Sequence, residues 1–417
     1  MKIFLSAIAC NPYLGSENYF GWAAVKCLAR DHDLWVVTSK RHRLDLEKAE
    51  TEGLVPKNVR FIYIGKFEEW RSSRWFGRLK DWKEYINFSE ALLPVARDWH
   101  QTVKFDLAHH VTIATWRVAT PLWKLGIPFI FGPVGGNEKF PLRFLTMLSP
   151  TAAGFELFRM SSNVASRFSP AVRACLRHSA HVLTSNPETE NLVKAVRGSS
   201  TGVSRLLPCF HADAKIKAFA RYAADKQTNG PLRLFAGGLM EGRKGVSLAL
   251  EALARVKAKG VKFQYRVGSH GSEVDHLRKL AVRMGVGDEI VFASPLSGEA
   301  YRTELGTTHI YLLPSLRDSA PVTLEEAMLA GCVPVVADCG GPAVVVTDEC
   351  GFKIPVSNRR QMVEDLANVI LTLDHRREII LQKGAAAAKR IATAFAEENY
   401  RQAINAVYQS VIQHHAN

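Results

Sequence analysis

The seven cysteines of this 417-residue chain (Cys10, Cys27, Cys175, Cys209, Cys332, Cys339 and Cys350) include no CxxC pair and no metal-ligand spacing. That excludes a disulfide framework and a zinc module, and an odd, scattered set reads as reduced thiols in a cytosolic protein. Long apolar runs are missing too: none approaches the roughly 18 residues needed to cross a bilayer. The stretch 3–9 ahead of Cys10 has the outline of a lipoprotein signal. Its apolar part is too short for export and reads better as a first β-strand. No GxGxxG is present, because Gly15 and Gly21 have the wrong spacing, so a nicotinamide or flavin site is not expected. Repeats and low-complexity tracts are absent. No helix-turn-helix, zinc knuckle or aromatic RNA-binding motif stands out, and nucleic acid is not the expected partner.

Acidic residues are the other shortage. Asp and Glu total 40 against 54 Lys and Arg, a formal charge of +14. Residues 1–212 carry 28 basic and 18 acidic side chains, and 213–417 carry 26 and 22, so the first half holds most of the excess. Two stretches concentrate it. Residues 66–83 set Trp70, Trp75, Phe76 and Trp82 among Lys66, Arg71, Arg74, Arg78, Lys80 and Lys83. Residues 139–178 mix six basic residues and one acidic with Phe140, Phe144, Phe155, Phe158 and Phe168. Basic-aromatic helices of this kind suit an anionic membrane surface; the alternative is aromatics in a core under a solvated face.

The bulk composition, 47% apolar and 23% charged, is globular. Near-continuous apolar runs at 3–9, 34–38, 59–64, 107–111, 128–131 and 181–185 alternate with helical patterns. This predicts parallel strands covered on both faces. The pattern restarts after residue 212, with strands at 232–236, 263–267, 290–292, 310–313 and 333–337 and helices at 246–259, 273–285, 323–330 and 359–372. The chain therefore reads as α/β with two domains of similar size.

Ligands of open α/β sheets bind beyond the carboxyl ends of the strands. Three such loops are informative. Gly15-Ser16-Glu17 follows the first strand and opens a helix, where a backbone turn and helix N-terminus can meet a phosphate; turn chemistry alone also explains Gly15. Gly237-Gly238-Leu239-Met240-Glu241-Gly242-Arg243-Lys244-Gly245 joins a strand to a helix with a basic pair suited to a pyrophosphate. A further, weaker loop, after the next strand, carries Gly268. The third loop runs Asp318-Ser319-Ala320-Pro321-Val322-Thr323-Leu324-Glu325-Glu326-Ala327-Met328. A carboxylate in the loop can accept sugar hydroxyls, and one in the first helical turn can reach a ribose diol. An ordinary N-cap would look similar.

Asp318-x7-Glu326-Ala327-Met328, followed by Ala330-Gly331-Cys332-Val333-Pro334-Val335-Val336 and Gly340-Gly341-Pro342, resembles the E-x7-E signature of glycosyltransferase family 4. The resemblance extends to residues 15–17, to Arg243-Lys244-Gly245, and to His109-His110 leading into Gly132-Pro133-Val134-Gly135-Gly136-Asn137-Glu138. It implies a GT-B fold, with two Rossmann-like domains whose parallel sheets face a central cleft. An acceptor-side domain at 1–210, a donor-nucleotide domain at 211–392 and a helix at 393–417 crossing back to the first domain are expected. In that last helix Tyr400, Ile404, Val407 and Val411 share one face.

The implied activity is retaining, metal-independent transfer of a hexosyl group from a nucleotide-sugar, which is a co-substrate and not a cofactor. Lys244 falls where the family neutralises pyrophosphate, Glu326 where it holds the ribose, and Asp318 where its first glutamate contacts the sugar. Gly15, Ser16, Arg243, Gly268 and the stretch Ser319, Ala320, Pro321 and Val322 complete the donor site, with His109 or His110 at the cleft. No metal ligands are implied. The acceptor is a lipid-linked or polysaccharide glycan at the cytoplasmic face of the plasma membrane. The sequence departs from the family at Gly238, where an arginine is usual, at Asp318 and at Ser16. A GT-B epimerase, a non-catalytic relative and a basic nucleic-acid-binding protein are the alternatives.

Overall fold

In the computed structural model, each near-continuous apolar run becomes a parallel strand with helices on both sides, the arrangement in which a strand is buried on both faces. The structure describes all residues except 66–74, 269, 295, 297, 320 and 417, and the side chains of all of these except 75–81 and 416. The basic-aromatic stretch 66–83 therefore lies mostly outside the described residues, as does Ala320. The chain divides into two compact units, one of Met1–Asn137, Ser161–Cys209 and the residues from Glu398 on, the other of Glu138–Met160 and Phe210–Glu397. Residues 138–160 thus belong to the second unit, with the residues from Phe210 to Glu397.

Seven strands build the first unit: β1 (Lys2–Ala7), β2 (Asp33–Ser39), β3 (Val59–Ile64), β4 (Leu107–Thr112), β5 (Phe129–Val134), β6 (His181–Thr184) and β7 (Val203–Arg205). They lie in the order β3-β2-β1-β4-β5-β6-β7, all parallel. One core layer places Phe4, Val37, Phe88, Leu92, Phe105, Phe129 and Phe131 together. The helix Glu397–Ala416 contributes Tyr400, Ile404, Tyr408 and Val411 to the interior. Tyr408 takes the buried place expected for Val407, whose side chain is only partly covered.

The second unit repeats the plan with β8 (Leu232–Ala236), β9 (Phe263–Gly268), β10 (Ile290–Ala293), β11 (Ile310–Leu313), β12 (Val333–Ala337) and β13 (Phe352–Ile354). Their order is β10-β9-β8-β11-β12-β13, again parallel. Each sheet reverses direction of growth beside its first strand. That switch point opens a crevice at the carboxyl ends. In the first unit it holds the 15–17 turn; in the second it holds the 237–245 and 314–319 loops. No described helix is long and apolar enough to cross a membrane.

Candidate active site

The site grows from two glycine turns that let loops close on each other. Gly245 is left-handed at φ +67°, and a Cβ there would lie 2.1 Å from the Pro314 carbonyl oxygen. Gly340, at φ +60°, has the Asp318 carbonyl oxygen 2.4 Å from the same imagined atom. Backbone bonds lace the loops together: Leu316 N–H donates to the Arg243 carbonyl at 2.8 Å, and Gly341 N–H to that of Asp318 at 2.8 Å. Gly245→Ala combines a disfavoured backbone with a backbone clash, and is expected to destabilise the second unit by at least about 2 kcal/mol. A urea titration of the variant against the parent checks this; an unchanged midpoint would contradict it.

The closure brings Lys244, Arg243 and Asp318 together. Lys244 Nζ lies 2.5 Å from Asp318 Oδ2, and Arg243 Nη1 lies 3.6 Å from Asp318 Oδ1. Both cations thus reach one carboxylate, although Arg243 also donates to Glu241 Oε2 at 2.7 Å and to the Arg317 carbonyl at 2.8 Å. Burial alone would push the Asp318 carboxyl up. Lys244 and Arg243 outweigh it and hold the group down to about 2, so Asp318 is ionised throughout the physiological range. Arg317 forks onto both oxygens of Glu156 at 3.0 and 2.6 Å, and Ser319 Oγ donates to Glu138 Oε1 at 2.6 Å. Glu138 and Glu156 both come from the 138–160 segment. Their part in the site had no local signal in the sequence beyond Glu138 following the Gly135-Gly136 turn.

Pro321 caps the helix Val322–Leu329, which places Glu325 in its first turn. Glu325 is fully buried against His211 Nε2, 2.8 Å from its Oε2. Glu326 lies one residue beyond the first turn in which it was expected, and it is this residue that lines the crevice. A cavity of about 390 Å³ is lined by Gly238, Arg266, Gly268, Tyr301, Thr323 and Glu326, among others. Gly268 is needed for close approach, since a Cβ on it would meet the Gly238 carbonyl oxygen at 2.9 Å. Tyr301 Oη donates to Glu326 Oε2 at 3.0 Å, and Lys215 Nζ sits 2.6 Å from Glu326 Oε1. The structure therefore groups Lys244, Arg243, Asp318 and Ser319 in one cluster, and Glu326 with Gly268 in the adjoining cavity. Val322 opens the helix between them.

The first-unit candidates fare differently. A Cβ on Gly15 would meet nothing within 4 Å, so the turn places no steric demand on it. The demanding position is Ser16, at φ 58° and ψ −134°. Such backbone costs of order 1–3 kcal/mol for a residue with a side chain. Ser16→Gly is expected to raise unfolding stability by about 1 kcal/mol, read from thermal or urea midpoints. An unchanged midpoint would contradict it.

His109 sits in the interior of the first unit. It is fully buried, with Nδ1 2.6 Å from Tyr408 Oη and Nε2 2.6 Å from the Gly132 carbonyl oxygen. Both ring nitrogens are spent inside the unit, and burial lowers its pKa to about 3. His110 is likewise enclosed, with Nδ1 2.9 Å from Ser6 Oγ. Burial of both rings, and for His109 the pairing of both ring nitrogens, argue against the catalytic role expected of them from sequence. His109→Phe should cost about 2–4 kcal/mol by orphaning two polar partners and straining the core, with nucleotide affinity unchanged. A matching loss of nucleotide binding would return His109 to the site.

Residues 218–384 match the family described as Glycosyl transferases group 1. A curated relative is the putative colanic acid biosynthesis glycosyltransferase WcaL of Escherichia coli (strain K12). It is 29% identical over 145 residues, which are 33% of this chain and 36% of that protein. The match thus spans only about a third of the relative's length. Among solved structures, sucrose-phosphate synthase (tll1590) from Thermosynechococcus elongatus aligns with a TM-score of 0.67 at 16% identity, covering 99% of each chain. Anabaena Alr3699/HepE in complex with UDP-glucose aligns at 0.60 and 14% identity, covering 98% of this chain and 100% of that one. Residues 218–384, which contain Arg243, Lys244, Asp318 and Glu326, are thus similar to the group 1 glycosyl transferases, and the chain as a whole has the GT-B fold of two parallel-sheet, Rossmann-like halves.

Proposed function

We propose that this protein is a retaining, metal-independent glycosyltransferase of family 4 type, which moves a hexosyl group from a nucleotide-sugar to a lipid-linked or polysaccharide acceptor in surface glycan synthesis. The observation that carries the reading is the Lys244–Asp318–Arg243 cluster beside the Glu326 cavity, inside the segment that matches the family. WcaL is a relative from colanic acid synthesis and HepE was solved with UDP-glucose, which supports a glycan product and a nucleotide-sugar donor.

In this reading the base and ribose enter the cavity, Glu326 accepts the ribose hydroxyls, and Lys244 exchanges Asp318 for the diphosphate. Asp318, released from Lys244, accepts a hydroxyl of the sugar, while the backbone N–H groups of Ser319 and Val322 serve the sugar and phosphate. As the bond between the anomeric carbon and the diphosphate oxygen breaks, charge grows on the leaving phosphate where Lys244 and Arg243 stand. The acceptor oxygen bonds to the same face of that carbon, and its proton passes to the departing phosphate oxygen. No protein nucleophile is required.

The protein works at the cytoplasmic face of an anionic membrane. Support comes from the basic stretch 139–178, where, within the first unit, Val164 and Phe168 are exposed with Arg167. Glu326→Ala is expected to weaken nucleoside diphosphate binding by about tenfold or more, through loss of charge-assisted hydrogen bonds to the ribose. Calorimetry with UDP and GDP checks it; equal affinities in variant and parent would place the nucleotide elsewhere.

A further inference from the structure

We infer that Lys215 and Tyr301 are positioning residues that aim the Glu326 carboxylate, so that the site selects ribonucleotides over their 2′-deoxy counterparts. The inference rests on the nucleotide-sugar reading of the cavity. Its starting point is that the two oxygens of Glu326 are held by groups from two different helices. Lys215, on the helix Asp213–Ala224, takes Oε1 at 2.6 Å; Tyr301, on the helix Gly298–Thr307, donates to Oε2 at 3.0 Å.

A glutamate side chain has three rotatable bonds, and fixing it costs conformational entropy whenever a ligand must do the fixing. Here the protein has fixed it beforehand. Tyr301 is itself held, with its ring edge-on to Phe235 at 6.1 Å between centroids, and both Tyr301 and Glu326 line the cavity. An ionised carboxylate offers about four lone-pair directions, of which Lys215 and Tyr301 use two. One acceptor direction on each oxygen remains, the pattern that matches the paired hydroxyls of a ribose.

The alternative, that Lys215–Glu326 merely ties helices together, is weak on energetic grounds. Its side chains are 25% and 16% exposed, and a pair in contact with water contributes little to stability. Its geometric effect on the carboxylate is the larger consequence.

The test is calorimetry of the full chain with UDP, 2′-deoxy-UDP, GDP and 2′-deoxy-GDP, using the parent, Tyr301→Phe, Lys215→Met and Lys215→Arg. The parent should bind one ribonucleotide about tenfold or more tighter than its deoxy form. Tyr301→Phe, which leaves charge unchanged, and Lys215→Met should each shrink that ratio to about threefold or less. The loss should fall on the ribose form, and Lys215→Arg should restore most of the ratio. Equal weakening of both forms, with the ratio intact, would make the two residues structural and overturn the inference. A parent that binds a nucleotide without ribose preference would also overturn it while leaving the nucleotide site standing. A parent that binds neither UDP nor GDP would instead remove the nucleotide-sugar reading, and this inference with it.

Discussion

Replacing Lys244 with alanine is expected to slow sugar transfer by about 10²- to 10³-fold, the usual consequence of removing a charge aimed at a developing oxyanion. Lys244 is 8% exposed and its ammonium has Asp318 as partner, so the charge is already desolvated and aimed before any donor arrives. Arg243 remains 3.6 Å from Asp318 in the variant, which keeps that carboxylate partly compensated and the loop folded. The loss should therefore appear in turnover and diphosphate affinity, with far-ultraviolet circular dichroism unchanged. Activity within about threefold of the parent would mean that Lys244 serves only the Asp318 ion pair.

The second large effect is acid sensitivity. Burial holds His109 down to about 3, and His110, His42 and His309 down to about 4. Each of these pKa values lies below that of the unfolded chain, near 6.5. The unfolded state therefore takes up protons that the native state refuses. Stability is full above pH 6.5 and falls as pH drops toward 4. For His109 and His110 alone, which are essentially sealed from solvent, the slope approaches about 3 kcal/mol per pH unit once both titrate in the unfolded chain. By pH 5 the two together remove about 4 kcal/mol, a large part of a domain stability of about 5–15 kcal/mol, so the first unit should be strongly weakened well before Asp318 contributes its own loss between pH 4 and 2. Urea midpoints at pH 7.5, 6.0 and 5.0 check this. A midpoint that stays flat across the three values would contradict the burial argument.

The strands were legible because a chain buried on both faces needs apolar residues at successive positions, and 59–64, 232–236, 310–313 and 333–337 match in full. The edge strands β7 and β13 escaped notice because three residues, Val203–Arg205 and Phe352–Ile354, leave no run to read. Segment 138–160 could not be assigned from sequence, because its tie to the second unit is made by Glu138 and Glu156 reaching partners more than 150 residues away. At the site, Lys244, Asp318 and Glu326 stand out through the resemblance of their motifs to glycosyltransferase family 4.

Lys215 and Tyr301 were not visible. Their link to Glu326 joins three helices and leaves no local pattern. His109 and His110 are ambiguous in sequence for a related reason. A strand-end His is equally consistent with catalysis and with burial, and only the Tyr408 hydroxyl and the Gly132 carbonyl decide between them. The Lys244 cluster is itself nearly charge-balanced by Asp318 and Glu241.

The most direct measurement of the central claim is release of nucleoside diphosphate from a panel of UDP-, GDP- and ADP-sugars by the purified parent, with Lys244→Ala alongside. The account predicts slow release from one donor class, through transfer to water in place of the acceptor, and loss of that release in the variant. No release and no binding for any member of the panel, or equal release by parent and variant, would contradict it.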